Sequence, residues 1–347
     1  GAAFDILEGG AGDDRLFADA GGDSLFGGEG SDILVGGDGS DLFNGGAGVD
    51  LASFEAASLG VEANLATGRA NLGGAGVGVT DSLVQIENLL GTRFNDILRG
   101  DAGRNELFGA DGNDTLFGEG GADNLSAGVG SDLLFGGAGS DTLRGDVGND
   151  TLDGGAGFNA LRGEAGIDTV SYTTATSGVD LQLGSQGVTN DRADSLSGIE
   201  NVRATAFNDF IEGTGDANRI ESFAGDDTIE GFGGADRIIA SVGNDTIDGG
   251  EGDDLLIGGT GADLFVFTAS TVDGIGTNPF DSGFDRIDDF GTGDKVDLRG
   301  HEFAGSFAEI RADASQFGAE THLRLGEDTV VLEDVALSQL SVDMFLL

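Results

Sequence analysis

The chain has 347 residues, 63 acidic against 16 basic, for a formal charge of −47; that excess argues against nucleic acid and anionic lipid surfaces, both of which attract Lys and Arg. With 67 Gly and one Pro it is not collagen-like, and with no Cys it has neither disulfides nor thiolate metal sites. Acidity alone would suit a disordered chain, but 38% apolar residues and 23 Phe require something buried, and no run approaches the roughly 18 apolar residues of a membrane span.

At the N-terminus, Gly1 to Asp5 do not read as a signal peptide and there is no initiator Met, so a fragment or processed product is expected. A nine-residue period then dominates. Asp recurs at Asp5, Asp14, Asp23, Asp32, Asp41 and Asp50. A second run takes Asp96, Asn105, Asp114, Asp123, Asp132, Asp141, Asp150, Asn159 and Asp168. A third takes Asp209, Asn218, Asp227, Asp236, Asp245, Asp254 and Asp263. Two residues after nearly every one stands a large apolar residue, such as Leu7, Leu25, Phe43, Leu116, Leu134, Ile229 or Leu256.

The intervals are Gly-rich, as in Gly27-Gly28-Glu29-Gly30-Ser31-Asp32 and Gly136-Gly137-Ala138-Gly139-Ser140-Asp141. Six residues of Gly and Asp make a turn, because Gly accepts positive φ without steric cost. Three residues with a central apolar side chain make a minimal strand, that side chain pointing in and its neighbours out. Two such units close one flattened coil, and stacked coils form two parallel sheets with their Leu and Ile rows meeting between them. A strand this short cannot bury its face alone, so stability is shared between neighbouring coils. The expected fold is all-β, a parallel β-roll (a right-handed β-solenoid of nonapeptide repeats).

Alternate turns share an edge of such a roll: Asp14, Asp32 and Asp50 on one, Asp23 and Asp41 on the other. Stacking places their carboxylates about 4.8 Å apart, where like charges repel. A hard dication between them reverses the sign of that interaction. Ca²⁺ suits such a site, since it takes about six to eight oxygens from carboxylates and carbonyls. Zn²⁺ does not, with no Cys and only His301 and His322 available, and Mg²⁺ demands tighter geometry.

The pattern G-G-x-G-x-D-x-U-x, with U apolar, resembles the calcium-binding nonapeptide of the repeats-in-toxin (RTX) family over most of the chain. The resemblance implies that each Ca²⁺ lies between the turns of repeats i and i+2, held by Asp side chains and turn carbonyls. Its ligands would be Asp14, Asp23, Asp32, Asp41, Asp50, Asp114, Asp123, Asp132, Asp141, Asp150, Asp168, Asp227, Asp236, Asp245, Asp254 and Asp263. Carbonyls would come from Gly10, Gly12, Gly28, Gly30, Gly37, Gly39, Gly112, Gly130, Gly137, Gly139, Gly250 and Gly252. Asn105, Asn159 and Asn218 remove a charge each, and the turns 18–23 and 118–123 depart from the Gly pattern, so weak sites are expected there. About sixteen sites is the upper bound and roughly ten filled sites the expectation.

Two segments break the period and resemble one another. Asp81-Ser82-Leu83-Val84-Gln85-Ile86-Glu87-Asn88 matches Asp194-Ser195-Leu196-Ser197-Gly198-Ile199-Glu200-Asn201. Alternating residues in Val61-Glu62-Ala63-Asn64-Leu65 and Val179-Asp180-Leu181-Gln182-Leu183 read as strands. These segments are expected to be wider, calcium-poor β-coils. After Phe267, stretches such as Asp285-Arg286-Ile287-Asp288-Asp289-Phe290 resemble the C-terminal module of serralysin-type RTX proteins, which caps the roll and carries the type I secretion signal. Val342-Asp343-Met344-Phe345-Leu346-Leu347 has that signal's acidic residue followed by apolar ones. The expected division is 1–50, 94–170 and 207–267 as roll blocks, 51–93 and 171–206 as linker coils, and 268–347 as cap.

No catalytic constellation is visible. H-E-x-x-H and G-x-S-x-G are absent, His301 and His322 are isolated, and one Tyr with no Trp is a poor lining for a sugar cleft. Outward Thr residues form no continuous paired rank, which disfavours an ice-binding face. The expectation is therefore not an enzyme. It is a Gram-negative bacterial protein, secreted by type I machinery to the extracellular space or cell surface. There it folds on calcium as a structural or adhesion-type module, with a cell surface or a polysaccharide as candidate partner. Two alternatives are the C-terminal folding and secretion module of a larger extracellular enzyme (protease, lipase or polysaccharide-active) and a surface-layer or biofilm component.

Overall fold

The computed structural model describes residues 3–73, 79–184, 194–267, 283–299, 306–325 and 328–347. Its strands pair almost entirely in parallel, each with the strand one coil away, and build a parallel β-roll. The chain divides into two compact units, Gly1–Val170 with Asp191–Ile199, and Ser171–Asn190 with Glu200–Leu347.

In the first unit one face is a nine-stranded sheet. It runs without interruption from Arg15–Phe17 through Leu51–Ser53, Asn88–Leu90 and Glu106–Asp111 to Ser195–Ser197. Register keeps one inward residue per strand, so Leu16, Leu34, Ala52, Leu89, Leu107, Leu125, Leu143, Leu161 and Leu196 form a single buried row. The opposite face carries the facing row, with Leu25, Phe43 and Leu83 and then Leu98, Leu116, Leu134 and Leu152. Full burial of each such side chain contributes about 1.5–3 kcal/mol, an upper estimate against a fully extended chain.

The interruption after Asp50 takes a different form from a single wide coil. Val79–Val84 pairs in parallel with Leu42–Ala47, and then antiparallel with Arg69–Leu72, which pairs antiparallel with Val61–Asn64. Val61–Asn64 returns to the parallel ladder by pairing with Ile97–Arg99. This meander adds two strands to one face, while the other face steps directly from Leu51–Ser53 to Asn88–Leu90. Tight turns explain it: the chain reverses at 65–68, where Gly68 has φ +66° and Asn64 accepts the Thr67 N–H.

The second unit repeats the plan. A seven-stranded sheet runs from Asp180–Gln182 through Phe210–Thr214, Thr228–Phe232, Thr246–Asp248 and Leu264–Val266 to Lys295–Asp297 and Phe345–Leu346. The facing sheet takes Asn201–Arg203, Arg219–Glu221, Arg237–Val242, Leu255–Thr260 and Phe284–Ile287. Inward Ile211, Ile220, Ile229, Ile238, Ile247, Leu256 and Phe265 are all fully buried. Phe284–Ile287 then pairs with Asp328–Leu332, which forms an antiparallel hairpin with Glu320–Leu325. The chain end Val342–Leu347 is part of this packing: Phe345 is buried and its strand pairs with Val296.

Candidate metal centre

Most turns end on an Asp whose carboxylate reaches back one coil. In the first unit Oδ1 of Asp32 accepts the Asp14 N–H at 2.8 Å and Oδ1 of Asp50 accepts that of Asp32 at 2.8 Å. On the other edge Asp41 accepts from Asp23 at 2.7 Å. The ladder resumes with Asp114, Asp132, Asp150 and Asp168, which accept from Asp96, Asp114, Asp132 and Asp150. Beside it Asp123 and Asp141 accept from Asn105 and Asp123. In the second unit Asp227, Asp236, Asp245, Asp254 and Asp263 accept from Asp209, Asn218, Asp227, Asp236 and Asp245.

The second oxygen of the same carboxylates is left over. Oδ2 of Asp14, Asp23, Asp32, Asp41, Asp50, Asp114, Asp123, Asp132, Asp141, Asp150, Asp227, Asp236, Asp245, Asp254 and Asp263 is buried with no hydrogen-bond partner. A buried anionic oxygen without a partner costs about 1–3 kcal/mol or more, and here it recurs along both edges of each run. Burial pushes Asp114, Asp150, Asp236 and Asp245 up to about 7, against the backbone N–H each accepts and with help from neighbouring carboxylates. The same causes carry Asp123 and Asp227 to about 6 and raise Asp132, Asp254 and Asp263, and burial alone raises Asp141. Such a stack fits a cation that supplies the missing partner and the missing charge.

Where a turn begins with Gly, that Gly makes room for the oxygen; Ala18, Ala127 and Ala240 take the place before Asp23, Asp132 and Asp245. A Cβ on Gly27 would strike Oδ2 of Asp32 and the carbonyl oxygen of Gly45 in the next coil. Turns also stack directly on turns. A Cβ on Gly28 or Gly30 would strike the carbonyl of Gly10 or Gly12, and the same holds for Gly130 over Gly112 and for Gly157 over Gly139. The Gly137 carbonyl accepts the Ala156 N–H at 2.6 Å, and the Gly252 carbonyl faces Gly283. Gly37, Gly39 and Gly250 sit at the corresponding turn positions with φ of +93°, +144° and +89°. Among the described residues no three Asp, Glu or His side chains gather into a ready-made cage. An ion here must therefore draw on carboxylate oxygens one coil apart and on turn carbonyls, an oxygen-only set that suits Ca²⁺.

The degenerate positions separate into two kinds. The turns ending at Asp23 and Asp123 keep the buried, unpartnered oxygen although Ala18-Asp19 and Glu119 replace Gly. Asn105 and Asn218 instead satisfy themselves. Their Oδ1 accepts Asp101 and Thr214 N–H groups, and their Nδ2 donates to the carbonyls of Glu87 and Glu200 at 2.7 Å each. Asn159 leaves Nδ2 buried and unpaired, a donor turned where a cation would need an acceptor.

Period alone hides some ladder members. Asp81 accepts the Asp41 N–H at 2.8 Å, Glu87 that of Asp50 at 2.9 Å, and Asp194 that of Asn159 at 2.9 Å. Asp285 and Asp294 accept from Asp254 and Asp263 at 3.1 and 3.0 Å. The signal that marks the first three is the duplicated D-S-L-x-x-I-E-N stretch. His322 packs against Phe284 and Phe317 and lies 3.2 Å from Glu320, a half-buried residue of the C-terminal hairpin; His301 lies outside the described residues.

No curated protein matches the chain. Among the solved structures similar to it are two from enzymes. One is the solution structure of the AlgE6R3 subunit from the Azotobacter vinelandii mannuronan C5-epimerase, 32% identical over 40% of this chain and 78% of that one, with a TM-score of 0.27. The other is the extracellular lipase LipA from Serratia marcescens, 18% identical over 75% of this chain and 39% of that one, with a TM-score of 0.31. The model of the RTX calcium-binding nonapeptide repeat matches residues 1–25, 17–52, 90–125, 126–161, 203–231 and 230–265, more than half of the chain. Those are the residues that carry the carboxylate ladders and their unpartnered oxygens, and the chain belongs to the RTX calcium-binding repeat family, a structural module whose repeats bind calcium.

Proposed function

We propose that this chain is a non-catalytic, secreted module whose fold is completed by calcium, with roughly ten ions at saturation, serving a structural or adhesion-type role outside a Gram-negative cell. The observation that supports this most is the row of buried aspartate oxygens without partners, in a chain of net charge −47. Bound calcium would neutralise the stacked carboxylates and give those oxygens a partner. Asp32 with Asp14, Asp132 with Asp114, and Asp245 with Asp227 are representative pairs; the stacked turn carbonyls would complete each set.

In calcium-poor cytosol, repulsion and burial oppose the ladder, so the chain stays exportable through type I machinery. Extracellular modules bind calcium at about 10⁻⁴–10⁻³ M, so the sites fill once the chain is outside, and each filled site stabilises the fold by mass action. Calcium titration of the chelated protein, followed by circular dichroism, tests the reading. A steep gain of β signal is expected; a full β signal in excess chelator would overturn it.

A further inference from the structure

We infer that the first interruption closes the calcium rows of the first block, with Asp81 and Glu87 as cation ligands outside the nonapeptide repeats. The inference rests on the calcium reading above and extends it to residues that the repeat pattern passes over; the family match ends at residue 52 and resumes at 90.

On one edge, Asp23 and Asp41 form successive rungs, and Asp81 makes the next. Its Oδ1 accepts the Asp41 N–H at 2.8 Å, as Asp41 accepts that of Asp23 at 2.7 Å. The sequence step is 40 residues instead of 18. Strand Val79–Val84 lies parallel to Leu42–Ala47 with Ser82 opposite Leu42 and Leu83 opposite Phe43, so Asp81 stands one coil from Asp41. Asp81 is 1% exposed and Asp41 3%, and Oδ2 of both is buried without a partner. Burial pushes Asp81 up to about 7, with the Asp41 charge adding to it, and Asp41 to about 6, with the Asp23 charge adding to it.

On the other edge, Asp32 and Asp50 are followed by Glu87, whose Oε2 accepts the Asp50 N–H at 2.9 Å. The turn here is shorter than a nonapeptide turn, and the extra methylene of Glu spans the difference. Gln85 stands in for the first Gly of a turn. Its carbonyl faces Gly45 as the Gly45 carbonyl faces Gly27, and it holds φ at +51° without being glycine. Asp50 is fully buried, and its Oδ2 has no partner. The carboxylates of Asp50 and Glu87 and the Gln85 carbonyl thus repeat the oxygen set of a regular turn. Without a closing cation, each row would end on two like charges.

The test counts calcium on the full chain by native mass spectrometry, at the lowest free calcium that saturates the wild type. Asp81→Asn and Glu87→Gln each keep an oxygen that accepts the same backbone N–H, so the ladder hydrogen bond survives and the charge is lost. Each variant is expected to carry one ion fewer and the double variant two fewer, through sites weakened about tenfold or more. Glu62→Gln, on the meander strand Val61–Asn64 outside both ladders, should keep the wild-type count. A double variant with the full count overturns the inference. If the double variant fails to regain its β signal in calcium, Asp81→Asn alone decides, by one ion fewer or none. A wild type that binds no calcium overturns the calcium reading itself, a different outcome from a normal wild-type count that the substitutions leave unchanged.

Discussion

The backbone N–H of Asp114 donates to Oδ1 of Asp132 at 2.6 Å, one coil further along, while Oδ2 of Asp132 lies buried with nothing to accept from. One carboxylate thus does two jobs. Oδ1 ties the coils together whether or not a cation is bound, and Oδ2 is useful only when one is.

Asp132→Asn separates those jobs, because the amide oxygen still accepts from Asp114. In calcium the variant should lose about 1–3 kcal/mol and need more calcium to fold. In chelator it should be no less stable than wild type, since burial and the Asp146 charge disfavour the ionised Asp132 carboxyl and the substitution removes that cost. Thermal melts by circular dichroism under both conditions check the reversal. Equal destabilisation in both would make Asp132 a turn residue only.

Acid should partly replace calcium. Buried Asp114, Asp150, Asp236 and Asp245 have folded values near 7 against about 3.9 in an unfolded chain. The folded state therefore binds more protons. Stability in chelator is greatest below the unfolded value and is lost as pH rises through about 6 to 7. Far-ultraviolet circular dichroism in chelator should show more β structure at pH 5 than at pH 7.5. With calcium present the midpoint should move to higher calcium as pH falls below 7, because protons compete for the same oxygens.

Two glycines of the second unit should respond in opposite ways. A Cβ on Gly231 would strike Oδ2 of Asp236 and the Gly249 carbonyl, whereas nothing lies within 4 Å of one on Gly215. Gly231→Ala should cost more than about 2 kcal/mol by forcing the turn apart, and should also lower calcium affinity. Gly215→Ala should be neutral or stabilising by about 0.4–1 kcal/mol. Calcium-saturated melts measure both.

Thr205 should matter to stability and not to the number of ions. Its N–H and hydroxyl reach Oδ2 of Asp209 at 3.0 and 3.1 Å, and its hydroxyl reaches Oδ1 at 2.8 Å. Both oxygens of this first rung are satisfied by protein, as Thr92 satisfies Asp96. Thr205→Ala should cost about 1–3 kcal/mol with an unchanged calcium count by native mass spectrometry. A gain or loss of an ion would place a metal at Asp209.

The nine-residue recurrence of Asp and the Leu or Ile two places later were legible because turn, strand and inward side chain are all local to one repeat. So were the composition, the parallel roll and the choice of calcium, which follow from what six Gly- and Asp-rich residues and a three-residue strand are able to form. The duplicated D-S-L-x-x-I-E-N stretch was visible as well, but its place in the stack was not.

That place depends on pairing across distances that carry no period. Asp81 meets Asp41 only because Val61–Asn64 and Arg69–Leu72 fold back as an antiparallel meander beside Val79–Val84, and Glu87 meets Asp50 across 37 residues. Burial likewise separated Asp132, with an oxygen left over, from Asp96 and Asp209, identical in sequence role but satisfied by Thr92 and Thr205. Repetition wrote the coil and its metal into the chain residue by residue. Which carboxylates are left wanting a cation was settled by the stacking of one coil on the next, because only there do donors, neighbours and water exclusion come together around each oxygen.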